Sequence, residues 1–390
     1  MIYSFGASNY FSFKEGFQVS LQFNSKVPKN ISNSRKVSTI LGIKGANASG
    51  KTNILKCVQF LAFFITRSFK TNDGDPILFK SFFKSTAPTD FYIDFDCNGI
   101  RYTYELTATQ HEVIREAIYK KVTRKTLIIE RKKDQLAYRT LEFTALDLIK
   151  LKPNASIIDT ALQYKISDIG DDLQNIYDYF YKVRGNLTSL GLIDDTSLYN
   201  HKSISEYYSK VPKALELAKK IITSADLGIK DIVIHQNKNE SGETTYFPIF
   251  HHAFELNPNK VDSEWLTYYD ESDGTAALYR RLYQYWSVLN SGGILLMDEF
   301  DTNYHPALLP QILDLFISEE TNPKGAQFLF TSHNLEIMDY LGKYRTYLVS
   351  KENGESFCYR LDEIPGDIIR NDRSISSLYR DGKLGGTPKI

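Results

Sequence analysis

The stretch Val37-Ser38-Thr39-Ile40-Leu41-Gly42-Ile43-Lys44-Gly45-Ala46-Asn47-Ala48-Ser49-Gly50-Lys51-Thr52 decides the fold. Val37 to Ile43 is β-branched and apolar enough for a buried strand, Gly45 to Thr52 is a complete GxxxxGK[ST] loop, and Thr52 to Ile65 reads as the helix that follows. A loop placed between a strand and a helix in this way is a phosphate cradle. Its glycines let successive backbone N–H groups converge on a phosphate, and the helix N-terminus adds partial positive charge. Lys51 is expected to reach the β/γ-phosphates of a nucleotide and the Thr52 hydroxyl to ligate Mg²⁺. A glycine-rich turn matching by chance is the competing reading, and the flanking strand and helix argue against it.

Far downstream, Gly293-Ile294-Leu295-Leu296-Met297-Asp298-Glu299-Phe300-Asp301 is an apolar run ending in acids, the pattern of a central parallel strand whose C-terminal end opens onto a site. Asp298 is expected to hold Mg²⁺ and Glu299 to polarise the attacking water. A buried strand followed by a solvated acidic turn is the bland alternative. A third strand, Ala326 to Phe330, ends in Thr331-Ser332-His333-Asn334, where His333 can donate to a γ-phosphate. One helix before the acidic strand, Ser272-Asp273-Gly274-Thr275 precedes the helical run Ala276 to Leu289. Ser272 there is either an ordinary helix cap or, with Gly274, a second phosphate-facing element.

In this order of parts the chain resembles the ATP-binding cassette ATPases. Asn47 and Asn53 look like the GxNxSGK[ST]N loop of the SMC, RecF and OLD group, and within it the chain resembles the compact OLD-like ATPases often labelled AAA-type. The opening Asn9-Tyr10-Phe11-Ser12-Phe13, the segments Pro88 to Phe95 and Lys152 to Ser156, and the closing Leu384-Gly385-Gly386-x-Pro388 are similar to that group too. The likeness runs nearly end to end and is weakest over about residues 170–230. Two departures stand out: Phe11 replaces the arginine usual in the first turn, and neither Gln59 nor Gln110 sits convincingly as a Q-loop glutamine.

The resemblance implies an α/β fold: an ABC-ATPase head with a P-loop parallel sheet, an antiparallel β subdomain and a short helical insertion. It implies an ATPase with ATP and Mg²⁺ as cofactors. The nucleotide contacts would be Gly45, Asn47, Ser49, Gly50, Lys51, Thr52, Asn53, Ser272 and Gly274, the metal ligands Thr52 and Asp298, and the catalytic residues Glu299 and His333. Because the signature serine of cassette ATPases reaches the nucleotide of a second subunit, it also implies an ATP-sandwich homodimer or a higher oligomer. The expected organisation is residues 1–165 as an N-terminal lobe with the P-loop and β subdomain, 166–230 as a helical arm, and 231–390 as a C-terminal lobe.

Composition fits a large cytoplasmic globular protein: 390 residues, 42% hydrophobic, with 47 basic and 47 acidic side chains, so bulk charge does not announce a nucleic-acid binder. Cys57, Cys97 and Cys358 are scattered, which argues against a disulfide framework or a zinc site. No secretory leader is legible at the start, and Ile54 to Ile65, the most apolar stretch, falls short of the roughly 20 residues of a membrane span.

Asn98-Gly99 between alternating runs marks a hairpin, and apolar residues recur at helical spacing over Asp171 to Val183 and Ser205 to Ala225. The basic stretch Lys120 to Lys133 reads as the solvated face of a hairpin, with a phosphate backbone as the alternative partner. Asn237-Lys238-Asn239-Glu240 is in the wrong order for a guanine-reading loop. His251-His252 reads as a solvated or core pair, and Arg280 and Arg281 as helix-surface cations, with a phosphate contact in trans as the alternative.

Two functional readings follow. In the first, the chain is the sensor ATPase of a bacterial antiviral defence system, similar to the ATPase subunits of anti-phage and abortive-infection systems, controlling a separately encoded nuclease or toxin in response to a phage protein or DNA. In the second it is a RecF/SMC-like repair ATPase binding duplex DNA. Zero net charge and the short arm favour the first. No membrane partner is expected.

Overall fold

The strand Ile40–Gly45 is buried along its whole length. It is flanked on one side by Gln327–Thr331 and on the other by Thr346–Glu352, both parallel to it. Ile294–Met297 and then Val183–Gly185 extend the sheet in parallel, and Glu355–Arg360 closes the opposite edge as an antiparallel strand. Both faces of this sheet's middle strands are covered, which is why they read as unbroken apolar runs rather than alternating ones. Val37, expected inside the first strand, makes only an isolated bridge to Gln22. Val183–Gly185 was hidden in the sequence because three residues are too few to carry a period.

The computed structural model describes every residue except 165–169, 194–199, 227, 239–241, 258–259, 303, 366–367, 370–373 and 387–390. Pro388 and residues 239–240 of the motifs read from sequence lie outside that set. The described chain falls into two compact units. The first comprises Met1–Leu192, Gly292–Phe300 and Gly325–Ile390, and the second Ile193–Ser291 with Asp301–Lys324.

The first unit holds the parallel sheet and a seven-stranded antiparallel one. The latter runs in the order Phe17–Ser20, Ile2–Ser8, Thr89–Cys97, Ile100–Ala108, Val113–Lys121, Lys125–Lys132, Gln135–Arg139. Asn98 and Gly99 turn its central hairpin with φ of 51° and 79°, the left-handed pair that a two-residue type I′ turn requires. One apolar core joins this sheet to the helix Lys51–Arg67. Phe60, on that helix, packs 4.7 Å from Phe91 and 5.3 Å from Phe79 between ring centroids. Gln327 stitches the two sheets together: its side chain accepts from the Ile2 N–H and donates to the Ile2 and Ser38 carbonyls. Cys57 and Cys97 are buried and Cys358 half-buried, and burial pushes the Cys97 and Cys358 thiols up to about 12.

A buried ion pair pins the antiparallel sheet to the segment Lys152–Ser156. Arg131 and Glu116 are both fully buried, with Nη1 and Oε2 3.5 Å apart. Arg131 donates to the carbonyls of Ala155 (2.7 Å), Lys152 (2.9 Å) and Lys133 (2.9 Å), while Glu116 accepts from Tyr104, Ser156 and the Ile157 N–H. Burial, opposed by Glu116, holds the Arg131 guanidinium below its usual range. Lys120, Lys125 and Lys133, in the same basic stretch, pair with Asp172, Glu105 and Glu112. Much of the positive charge of Lys120 to Lys133 is therefore buried or matched within the protein.

In the second unit, Ile229–Lys238, Thr244–Asn257 and Lys260–Thr267 form an antiparallel sheet. The helical period over Ser205 to Ala225 corresponds to two helices, His201–Lys210 and Pro212–Ala225, because Pro212 cannot donate to a continuing helix but suits a new first turn. The other helical stretch, Asp171–Tyr181, belongs to the first unit. His251 and His252 point to opposite faces: His251 stacks on Trp265 at 4.5 Å, and His252 Nε2 lies 2.6 Å from Glu271. Arg281 departs from its surface reading. It is buried and donates to the Thr302 carbonyl at 2.9 Å.

Glu116→Ala should lower the stability of the chain by about 3–5 kcal/mol, because it leaves Arg131 charged and unpaired in the interior. The check is a thermal or denaturant melt, and an unchanged midpoint would mean the pair supports nothing.

Candidate functional site

The site forms where Ile40–Gly45 ends, the helix Lys51–Arg67 begins, and Ile294–Met297 and Gln327–Thr331 deliver their C-terminal residues. Two glycines of the loop between them have no room for a side chain. A Cβ on Gly45 would lie 2.2 Å from the Val349 carbonyl oxygen. At Gly50, where φ is +109°, a Cβ would meet the hydroxyls of Ser12 and Ser356 at 2.9 Å. The Lys51 ammonium donates to the carbonyls of Gly45 and Ala46, each at 2.9 Å, so it lies along its own loop. Asn47 is exposed at the loop tip, whereas Ser49 is buried and its hydroxyl has no partner among the described residues.

Thr52 and Asp298, remote in sequence, meet here. The Thr52 hydroxyl lies 3.0 and 2.9 Å from the two carboxylate oxygens of Asp298. Asp298 is buried and held from three directions: Thr331 Oγ1 donates to its carboxylate at 2.6 Å, and its backbone N–H and C=O pair with the Asn186 side chain at 2.8 Å each. The Thr331 hydroxyl also accepts from the Glu299 N–H at 2.8 Å. Glu299 has a φ of 50°, an unfavourable region for a non-glycine residue, and this hydrogen bond helps to hold it there. Its carboxylate is about half exposed and lies 3.8 Å from His333 Nε2. The structure thus brings together Gly45, Ser49, Gly50, Lys51, Thr52, Asn53, Asp298, Glu299 and His333.

Sequence reasoning missed the supports. Ser12, in the first turn, lies 3.2 Å from Asn53 Nδ2 and 2.7 Å from Ser356 Oγ, and Ser356 Oγ is 2.6 Å from the Ser49 carbonyl. The first turn therefore buttresses the phosphate loop at the edge of the same cavity. Asn186 carries no motif, and only its position after a three-residue strand could have flagged it. A cavity of about 740 Å³ opens beside the loop, bordered by Phe11, Thr52, Lys56, Gln110, Asp298 and Glu299 among others. Gln110, without context in sequence, is at its wall, with its side chain donating to the Phe79 carbonyl at 2.8 Å.

In the second unit Ser272 caps the helix Asp273–Ser291: its hydroxyl accepts from the Thr275 N–H at 3.1 Å and lies 3.0 Å from Thr275 Oγ1.

Residues 40–339 match the family model described as "AAA domain, putative AbiEii toxin, Type IV TA system". The chain belongs to that family. It is thereby an AAA-domain chain of a P-loop ATPase family, and its fold is mixed α/β. No curated protein matches it. Among solved structures it is similar to the SMC head domain from Thermotoga maritima, at 14% identity and a TM-score of 0.44 over 92% of this chain and 98% of that one. An SmcHead bound to the C-winged helix domain of ScpA gives 14% and 0.49 over 92% and 96%. CbiO1 from Clostridium perfringens, part of the ABC transporter complex cbiONQ, gives 8% and 0.35 over 93% and 90%. No helix among the described residues is long and apolar enough to cross a membrane.

Thr331→Val should destabilise the protein by about 1–3 kcal/mol, since it strips a donor from Asp298 and an acceptor from the Glu299 N–H. Thr331→Ser should recover most of that loss. Denaturant midpoints compare the two, and equal losses would show that the hydroxyl is immaterial.

Proposed function

We propose that the chain binds ATP with Mg²⁺ and hydrolyses it, and that the hydrolysis cycle drives a dimeric switch controlling a separate nuclease or toxin in a bacterial defence system. The observation that carries the ATPase part is the meeting of Thr52 and Asp298 at the mouth of the phosphate loop. A hydroxyl and a carboxylate at one point, beside a loop whose Gly45 and Gly50 leave no room for a Cβ, fit Mg·nucleotide, as does the buried Ser49 hydroxyl, which has no partner among the described residues. When bound, Mg²⁺ would neutralise phosphate charge during phosphoryl transfer. The chain's own residues do the rest. Lys51 exchanges its two loop carbonyls for phosphate oxygens, while Asn47, Asn53 and the backbone of Gly45 to Gly50 hold the phosphate chain. Thr52 and Asp298 hold the metal. Glu299, half exposed and 3.8 Å from His333, orients and deprotonates water, and His333 donates to the terminal phosphate.

The dimeric switch rests on the resemblance of Ser272 and Gly274 to a cassette signature, through which each subunit would complete the other's site. The defence role rests on the family description and on charge. With Arg131 buried and Lys120, Lys125 and Lys133 paired internally, the strongest basic stretch is poorly suited to a DNA backbone. A protein effector is favoured over duplex DNA.

Lys51→Ala should weaken ATP binding by at least about tenfold, the value of a lost charge-assisted hydrogen bond or two. Glu299→Gln should keep binding but slow turnover by about 10²–10⁴. Equal turnover in wild type and Glu299→Gln would remove Glu299 from the chemistry.

Mixing Lys51→Ala with Ser272→Arg protein should restore partial ATPase activity, because each mutant spoils a different half of a shared site. Absence of rescue despite subunit exchange would leave Ser272 as a cap alone. For the defence role, the chain expressed alone and with its neighbouring gene is challenged with phage. Protection that requires the neighbour supports the switch, whereas salt-sensitive DNA binding by the chain alone would favour the repair reading.

A further inference from the structure

The cavity beside the phosphate loop has more positive charge than the loop lysine supplies. Besides Lys51 it is bordered by Lys56, Lys80 and Lys351, against the carboxylates of Asp298 and Glu299 at one end. Lys56 is the telling residue. It lies one turn beyond Thr52 on the same helix, is half-buried, and holds its ammonium 4.7 Å from the centre of the Phe11 ring. Among the described residues neither Lys56, Lys80 nor Lys351 has a hydrogen-bonded or ion-paired carboxylate.

A half-buried ammonium normally acquires an acid partner, because desolvation costs more than an aromatic face returns. Here burial holds Lys56 below the usual lysine range, Asp298 opposes that shift, and the nearby Lys80 charge adds to it. The ammonium groups of Lys51, Lys56, Lys80 and Lys351 outnumber the carboxylates of Asp298 and Glu299 around this cavity, and that excess of positive charge is unfavourable in the protein alone. A bound anion would relieve both the desolvation and the repulsion.

We propose that Lys56, together with Lys80 and Lys351, is a second cationic set that binds the phosphate chain of the nucleotide in this cavity, in addition to Lys51. This rests on the nucleotide reading given above and extends it: the site recognises polyphosphate from the helix and from the cavity rim as well as from the loop. Lys351 also borders a further cavity, lined by Ala46 to Ser49 and by Gly385 and Gly386, so it adjoins the loop in both cavities. The set therefore favours a multiply charged ligand over a singly charged one, and its contribution falls with added salt at the exposed Lys80 and Lys351 more than at Lys56.

The test is calorimetric titration of the full chain with ATP and with inorganic triphosphate, at low and high salt. The variants are Lys56→Met, Lys56→Arg, the exposed pair Lys80→Met/Lys351→Met, the triple Met variant, and Lys36→Met as a surface control outside the cavity. The expected result is a loss of about tenfold in affinity for both ligands in Lys56→Met, a larger loss in the triple variant, near-recovery in Lys56→Arg and no change in Lys36→Met. The double variant, whose substitutions are exposed and cannot disturb the core, should show a weaker salt dependence than wild type. Wild-type affinity and salt dependence in the double and triple variants, with Lys51→Ala still defective, would overturn the second cationic set and leave the nucleotide reading intact. Binding of triphosphate but not ATP by wild type would uphold the cationic set and overturn the nucleotide reading. Binding of neither would overturn both.

Discussion

The arrangement depends on one strand, Gln327–Thr331, lying in parallel between Ile40–Gly45 and Ile294–Met297. Its register pairs Phe330 with Gly42 on one side and with Met297 on the other. Side chains alternate along a strand, so slipping this register by one residue would turn Thr331 away from Asp298 and remove the hydroxyl that joins the two acids. The phosphate loop and the acidic strand end share a site because a third strand measures the distance between them.

Around that strand the polar groups are paired in a closed set. Asn186 satisfies the backbone of Asp298, Thr331 its carboxylate and the Glu299 N–H, and Gln327 the Ile2 and Ser38 carbonyls at the other end of the same strand. Networks of this kind have little slack, since each member left unpaired in a buried place costs more than an exposed one. The side toward the cavity is different: Lys51 rests on the carbonyls of its own loop and Glu299 is half open to solvent.

The sequence made the loop, the acidic strand and His333 legible because each has a local signature: glycines at fixed offsets, an apolar run ending in acids, a histidine after a strand. The hairpin at Asn98-Gly99 was legible for the same reason. What was not legible has no local period. Val183–Gly185 is too short to alternate, and Asn186 is a single polar residue whose meaning lies in a partner more than a hundred positions away. The split of Ser205 to Ala225 at Pro212 was readable from the proline but was masked by continuous helical spacing. Arg281 looked like surface because a charged residue on a helix usually is; it is buried, with a hydrogen bond to the Thr302 carbonyl offsetting part of the cost.

The order in which the parallel strands occur along the chain has a consequence for synthesis. Ile40–Gly45 is synthesised before both of its neighbours, Gln327–Thr331 and Thr346–Glu352. Until those neighbours are made, the six-residue strand Ile-Leu-Gly-Ile-Lys-Gly has neither edge paired. Such an edge is a template for pairing with another chain, and slow long-range closure prolongs its exposure. The antiparallel sheet and the helix Lys51–Arg67 can form meanwhile and shelter one face, but the edges wait. The nascent protein is thus most vulnerable to aggregation just before the site at the end of this strand can be assembled, and a chaperone would have the most to shield at that stage.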